Sequence, residues 1–560
     1  MDRKVVLAIV LMMVVAIVPS MFLRRGRPPA GQPGPAAAPA DTLTPAVPAP
    51  APPLPPPVTP PADQTDALTA REDTVVVSSP HYRYAFSTRG GRLIEATFLD
   101  YRSMKRQDSN APAQILHPAS NLLGLGLLIG RDTLWLRDWD FVPSSRALEV
   151  TAPQELTFSA TRGSVDVSVT YAFRPTDYLF DVRGQVGGLG EQGATLLVGL
   201  GPGLRNTESD SVEHQRELGV VVKSAKAELT RFSKLKPALP LSFNGPFEWV
   251  AVKSKYFVTA ILAPDSAATG LNGGIAGANA VSTDPLNKSP LTASVEAGIR
   301  LNPSGDFSYQ VYTGPMEYER LRAIGHDFDD VNPYGWAWMR PIIRPVAVGA
   351  RWLLVWMHDR LGFAYGVGLI AFGVLIRILL WPLNQKAMRS SMAMQAVQPL
   401  MKELQEKHKQ DPQRLQQEMF KLYKEHNVNP LGGCWPMLLP WPILFALFFV
   451  FQNTIELRGA TFLWIPDLSR PDPIFIIPVL MGISMYVLTK MGQLGMPPNP
   501  QMKVMLYMMP GMMTFLFLNF ASGLNLYYTV MNVASLPQQW MLAKERMRRN
   551  PSPPGPKKKA

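Results

Sequence analysis

Arg377 is the residue whose surroundings most demand a chemical reason. The stretch Phe363 to Leu383 runs for 21 residues with Arg377 as its one charge. Placing an arginine deep in a hydrocarbon span costs about 2.5–3.5 kcal/mol on insertion scales. The apolar stretches that follow contain no acidic residue to offset that cost. The side chain must then either snorkel toward the headgroups past Leu383 or face a water-holding cavity among helices. In the second case the guanidinium is a binding group for anionic or polar segments. The other motifs build no catalytic constellation. Gly188-Leu189-Gly190-Glu191-Gln192-Gly193 has the GxGxxG spacing, but β-like sequence follows where a dinucleotide site needs a helix. His326-Asp327-Phe328-Asp329-Asp330 has metal-ligand residue types yet no second histidine, and reads as a solvated linker. Leu431-Gly432-Gly433-Cys434 looks like a lipoprotein box too deep in the chain for lipidation, and one cysteine allows no internal disulfide. No enzyme activity, cofactor or metal site is expected.

The elements that must position Arg377 emerge from the composition. The chain has 560 residues, 47% apolar and 18% charged, against a usual charged share of about 25%. Its mean hydropathy of +0.02 is too low for a chain that lies in lipid throughout. Lipid-embedded and aqueous regions must alternate. After a short start (1–4), residues 5–23 are uncharged and long enough to span as an uncleaved anchor. Residues 24–73 form a linker; 15 of the 34 residues from Pro28 to Pro61 are proline, so an extended spacer is expected. From 74 to 330 the pattern becomes short alternating segments such as Val165-Asp166-Val167-Ser168-Val169, which predicts an antiparallel β-sandwich. Residues 331–362 carry Trp336, Trp338, Trp352 and Trp356 with Arg340, Arg344 and Arg351. These predict an interfacial amphipathic helix broken by Pro341 and Pro345, its arginines extending to phosphates, or else a linker helix packed on the β domain.

Further spans are expected at 363–383, 431–454, 473–490, 504–520 and 521–543, joined by a helical hairpin (384–430), an outward loop (455–472) and a short loop (491–503), with a basic tail at 544–560. With the anchor that makes six transmembrane helices. The hairpin region Asn384 to Gly432 has eight basic and five acidic residues and the tail has seven and one, whereas the 456–472 loop has two and three. Basic loops face the cytoplasm, so both termini are expected inside and the β domain outside. The formal charge of +12 then lies in flanks and tails, and no DNA partner is expected. In the hairpin, Leu400, Met401 and Leu404 mark one apolar stripe and Leu415, Met419, Leu422 and Tyr423 another, with Asp411-Pro412 starting the second helix. Of the 27 methionines, 19 fall between Met388 and Met547, suiting either a pliable apolar binding wall or loose membrane packing.

This order of parts resembles the YidC/Oxa family of membrane protein insertases, in the bacterial form with a large periplasmic domain. The resemblance rests on Arg377 with Pro382-Leu383, on Asn429-Pro430-Leu431-Gly432-Gly433-Cys434 with Pro436, on Ser522-Gly523-Leu524 with Tyr527-Tyr528, and on Ser87-Thr88-Arg89-Gly90-Gly91. It implies a five-helix core around a groove open to cytoplasm and lipid, plus a periplasmic β supersandwich. It further implies Arg377, Gly373, Tyr527, Tyr528, Trp441, Leu444, Met437 and Leu516 as groove residues. The hairpin residues Met401, Leu404, Leu415, Met419 and Leu422, with Lys557, Lys558 and Lys559, are implied to meet nascent chains and ribosomes. Implied partners are nascent membrane proteins, the Sec translocon, the ribosome and membrane lipids, and the implied location is the inner membrane. Relatives often have a hydroxyl where this chain has Gly373, a polar residue at Pro440, and a proline at Ala521. Two other function classes remain open on the residues alone: an anion-binding secondary transporter or channel centred on Arg377, and an anchored periplasmic binding module.

Overall fold

The computed structural model describes residues 73–549 apart from 106–107, 109–110, 118, 190–192, 236–240, 265–270, 272–274, 282–291, 337, 386–396, 410, 427–440, 496–499. The start, the anchor and nearly all of the linker (1–72), the 431–440 portion of one expected span with Met437, and residues 550–560 with Lys557, Lys558 and Lys559 lie outside the described residues.

Alternation becomes burial in the β region. In Val165–Phe173 the residues Val167, Val169, Tyr171 and Phe173 are buried while their neighbours are not. This strand pairs antiparallel with Gln154–Arg162 and Leu179–Gly187. Described strands form sheets of nine, five and six members. Rings from the five- and nine-stranded sheets interlock: Phe86 lies 5.0 Å from Tyr171 and 5.7 Å from Phe158, centroid to centroid, and Phe98 stacks on Phe257 at 5.5 Å. Leu125, Leu127, Leu196 and Val198 of the six-stranded sheet enter the same core. Gly188 sits at a φ of +75°, and a strand, Thr195–Gly199, follows. A strand rather than a helix follows the GxGxxG, as its context suggested, while its residues 190–192 lie outside the described residues.

The described helices are α1 (Ser211–Glu217), α2 (Tyr318–Ile324), α3 (Arg340–Leu361), α4 (Tyr365–Leu379), α5 (Gln398–Lys407), α6 (Pro412–Glu425), α7 (Trp441–Asn453), α8 (Ile476–Gln493), α9 (Pro500–Phe517) and α10 (Ser522–Arg549). Taken alone, α8 is long and apolar enough to cross a membrane, while α4, α7 and most of α9 are apolar but shorter. The reasons are local: α4 is interrupted by a turn at Leu380 before helix resumes at Trp381, and the residues before α7 are outside the described set. The turn expected at Asn519 to Gly523 falls at 518–521, and Ser522 and Gly523 already open α10.

Two expectations for 331–362 need correction. Helix α3 is continuous through both prolines. Pro341 falls in the first turn, where no amide donor is needed, and Pro345 is accommodated inside the helix. Nor are its arginines free for lipid phosphate: Arg340 Nη1 donates to Asp330 at 3.1 Å, Arg344 pairs with Asp329, and Arg351 pairs with both Glu319 and Glu456. Asp329 is buried at 7% exposure, and burial raises its carboxyl above the ordinary range despite Arg344. The segment 326–330 is therefore a clasp between the β region and α3 rather than a solvated linker. Among the described residues no cluster could hold a metal ion.

The loop 455–472 joins the β region to the helices. Arg458 is 4% exposed and donates from Nε to both oxygens of Glu208, at 2.9 and 3.0 Å, and from Nη1 to the Arg102 carbonyl at 2.7 Å. Tyr256 and Ser469 share a hydrogen bond of 3.2 Å, and Asn332 Nδ2 donates to the Asn453 carbonyl at 3.1 Å. Below this joint the loop covers the start of α10, where Ser522 N donates to Arg470 O and Gly523 N to Leu468 O. A Cβ on Gly523 would stand 2.3 Å from Phe451 Cε1 and 3.1 Å from the Leu468 carbonyl. Gly523→Ala is accordingly expected to destabilise the bundle by about 1–3 kcal/mol through overpacking, read as a lower unfolding temperature in detergent; an unchanged temperature would show that the seam is loose.

Candidate functional site

Arg377 points into the helix cluster rather than out to headgroups: it is 9% exposed. It lies on the last turn of α4, against α10. Its Nη2 donates to Gln538 Oε1 at 2.5 Å, and Gln538 Nε2 donates in turn to the Trp381 carbonyl at 3.1 Å. That carbonyl lies just beyond the turn at Leu380. Gln538 is 2% exposed, and the Arg377 Nε has no hydrogen-bond partner among the described residues. No ion pair with a carboxylate satisfies the guanidinium among the described residues, in keeping with the absence of acids from the spans.

One turn earlier, Gly373 brings the helices close. A Cβ there would meet Val530 Cγ1 at 3.0 Å and Tyr527 Cδ2 at 3.6 Å. Tyr527 is 2% exposed and its ring lies 5.8 Å from Phe372. Arg377, Gly373 and Tyr527 thus share one seam between α4 and α10. Tyr528 turns the other way, onto Phe517 at 5.6 Å, beside the half-buried Leu516 on α9. The contacts of Trp441 lead elsewhere: its ring meets Phe445, and Phe445 meets Trp336 before α3. Leu444, half-buried on the same helix, packs against the membrane-region core. The implied groove set is split among three places: the α4–α10 seam, the α9–α10 contact, and α7 against the segment before α3. Asn532 on α10 adds a polar bridge to α8, donating to Ser484 Oγ at 3.0 Å.

Gln538 escaped sequence reasoning because an uncharged amide raises no flag in an apolar run. The signal was available: Tyr527 and Gln538 are eleven residues apart, three helical turns, so they share a face.

The two hairpin helices α5 and α6 pack on each other as their stripes predict. Asp411 caps α6, accepting from Arg414 N at 3.0 Å. Leu400, Leu404 and Leu422 line a groove of about 270 Å³ between α5 and α6, with Glu403, Lys407 and Glu418 on its rim. Tyr423 Oη reaches Met401 Sδ at 3.8 Å. Leu415, Met419 and Met401 are half-buried, and Leu422 is buried.

With this geometry in view, comparisons with known proteins decide the family. Residues 74–346 match the family described as YidC periplasmic domain, and residues 356–550 match the 60Kd inner membrane protein family. A membrane protein insertase YidC from Syntrophus aciditrophicus is 31% identical over 97% of this chain and 100% of its own length. The chain belongs to the YidC family of membrane protein insertases. A second YidC relative, from Chlorobaculum tepidum, is 30% identical over 96% of this chain and 94% of its own. Among solved structures, an active YidC insertase covers 84% of this chain and 95% of its own at 17% identity, with a TM-score of 0.34. A galactose mutarotase related enzyme from Lactobacillus acidophilus covers 43% of this chain and 97% of its own at 13% identity, TM-score 0.26. The architecture follows that of the YidC family: a helical membrane region carrying a β-rich periplasmic domain.

Proposed function

We propose that this chain is itself a membrane protein insertase, taking nascent membrane proteins as substrates, moving their short hydrophilic segments across the inner membrane and releasing hydrophobic helices into lipid. The observation that carries this reading is the buried Arg377 held by an amide and, among the described residues, by no acid. A cation paired to a fixed carboxylate would have its charge cancelled. A cation held by a neutral amide keeps its field for an incoming group. Each unpaired polar group of a crossing segment costs several kcal/mol in hydrocarbon. A polar seam that reaches partway in shortens the costly path, and burial of a roughly 20-residue apolar helix supplies the driving force without nucleotide. No catalytic step is involved.

In this reading six helices cross, counting the anchor 5–23, and both termini lie in the cytoplasm with the β domain in the periplasm. Gly373, Tyr527, Tyr528, Leu516, Trp441, Leu444 and Met437 border the path of the substrate. The hairpin groove and the tail lysines meet ribosomes and nascent chains, while the Sec translocon and lipids are further partners. Support comes from the family, the charge distribution and the exposed apolar residues of α8, namely Val479, Leu480, Ile483 and Val487, which recur at helical spacing and suit acyl chains. A ribosome-stalled single-span protein is expected to crosslink to photoreactive probes at positions 377 and 527 and not to one at Tyr84 in the β core. Labelling at none of these positions, in vesicles that support insertion, would end the proposal.

A further inference from the structure

The pair Arg377–Gln538 is built like an occupied receptor whose occupant is replaceable. Gln538 presents its carbonyl oxygen to Nη2 and commits its NH2 to the Trp381 carbonyl, so its amide orientation is set by both partners. At 2% exposure it has no competing solvent. The guanidinium uses one donor nitrogen on Gln538 and leaves Nε unpaired. Five N–H donors in a planar fork match a carboxylate bidentately, and a charge-assisted bond is roughly twice as strong as one to a neutral acceptor. An incoming carboxylate therefore outcompetes the amide. A carboxylate built in at the same place would not be displaced.

We propose that Gln538 is a positioning and specificity-determining residue: it holds Arg377 in place while the seam is empty and yields to the side-chain carboxylate of an acidic translocating segment. This rests on the insertase reading and names the substrate chemistry of that same site. It also assigns a reason for an amide at 538, since glutamate would fit the same space and neutralise the arginine permanently.

The test uses the full chain in phosphatidylethanolamine–phosphatidylglycerol vesicles and one single-span substrate in two forms, its short outward tail carrying either two aspartates or two asparagines. Gln538→Glu is expected to lower insertion of the acidic tail by roughly tenfold, because like charges now face each other across the seam, while the asparagine tail inserts as with wild type. Gln538→Met, which keeps length but removes the acceptor that holds Arg377 in place, is expected to lower acidic-tail insertion more than asparagine-tail insertion, by a smaller factor than Arg377→Ala, and to lower the unfolding temperature. A purely structural role would lower both tails alike in both variants. Equal insertion of the two tails by Gln538→Glu, or an acidic-tail loss in Gln538→Met matching that of Arg377→Ala, overturns the assignment; the methionine arm decides the matter if the glutamate variant does not fold. Failure of Arg377→Ala to affect either tail would instead remove the insertase role of Arg377 itself.

Discussion

Arg377→Ala is expected to lower insertion of a substrate with a short acidic outward tail by about ten- to hundredfold in reconstituted vesicles. The size follows from hydrogen bonds to charged groups, worth about 1.5–3 kcal/mol, removed from a buried seam where water does not replace them. Arg377→Lys should fall between, since an ammonium keeps the charge but loses the fork that engages two oxygens at once. Folding should suffer less than activity. The alanine leaves Gln538 Oε1 without its donor, yet Gln538 Nε2 still holds the Trp381 carbonyl and the α4–α10 seam at Gly373 and Tyr527 is untouched. Insertion yield and thermal unfolding measured on the same preparations separate the two effects; equal insertion yields for Arg377→Ala and wild type would remove the role.

The other large effect is expected far from the seam. Arg458→Ala should cost about 3–5 kcal/mol at the joint between the β region and the helices, the range for breaking one side of a buried ion pair. Glu208, 12% exposed at its side chain, would be left facing apolar rings: the guanidinium now lies 5.6 Å from the Phe257 ring centroid and 5.8 Å from that of Tyr256. The Arg102 carbonyl would lose its Arg458 donor as well, and the Thr207 carbonyl would keep only the Met104 amide. Wild type should melt in detergent as one cooperative unit, and the variant in two steps with faster proteolysis in residues 455–472. A single unshifted transition would show that the other contacts hold the joint without Arg458.

How much of this could be read beforehand depended on whether the signal was local. The β strands were legible because alternation is a property of neighbours, and Val165–Phe173 needs no distant partner to reveal its buried face. The helices α8, α9 and α10 fall where the uncharged runs put helices, and the start of α6 was legible from its Asp-Pro pair. Arg377 stood out because its cost is local too. Its partner did not: Gln538 is 161 residues away and uncharged. The arginines of α3 were misread for the same reason, since Glu456 is 105 residues from Arg351 and only the fold brings them together. Asp329 and Asp330 were read as solvated because their burial is a property of the joint, not of the segment.

The glycine at 373 has a consequence for anyone grafting this seam. With only a hydrogen there, Val530 fills the volume that a hydroxyl-bearing side chain would need. The two positions are complementary in shape, so a swap at one without the other should be poorly tolerated. Gly373→Thr alone is a wedge; made together with Val530→Ala it becomes a transplant. Positions 373 and 530 should accordingly drift through evolution as a pair, bulk passing from one helix to the other while their sum stays constant.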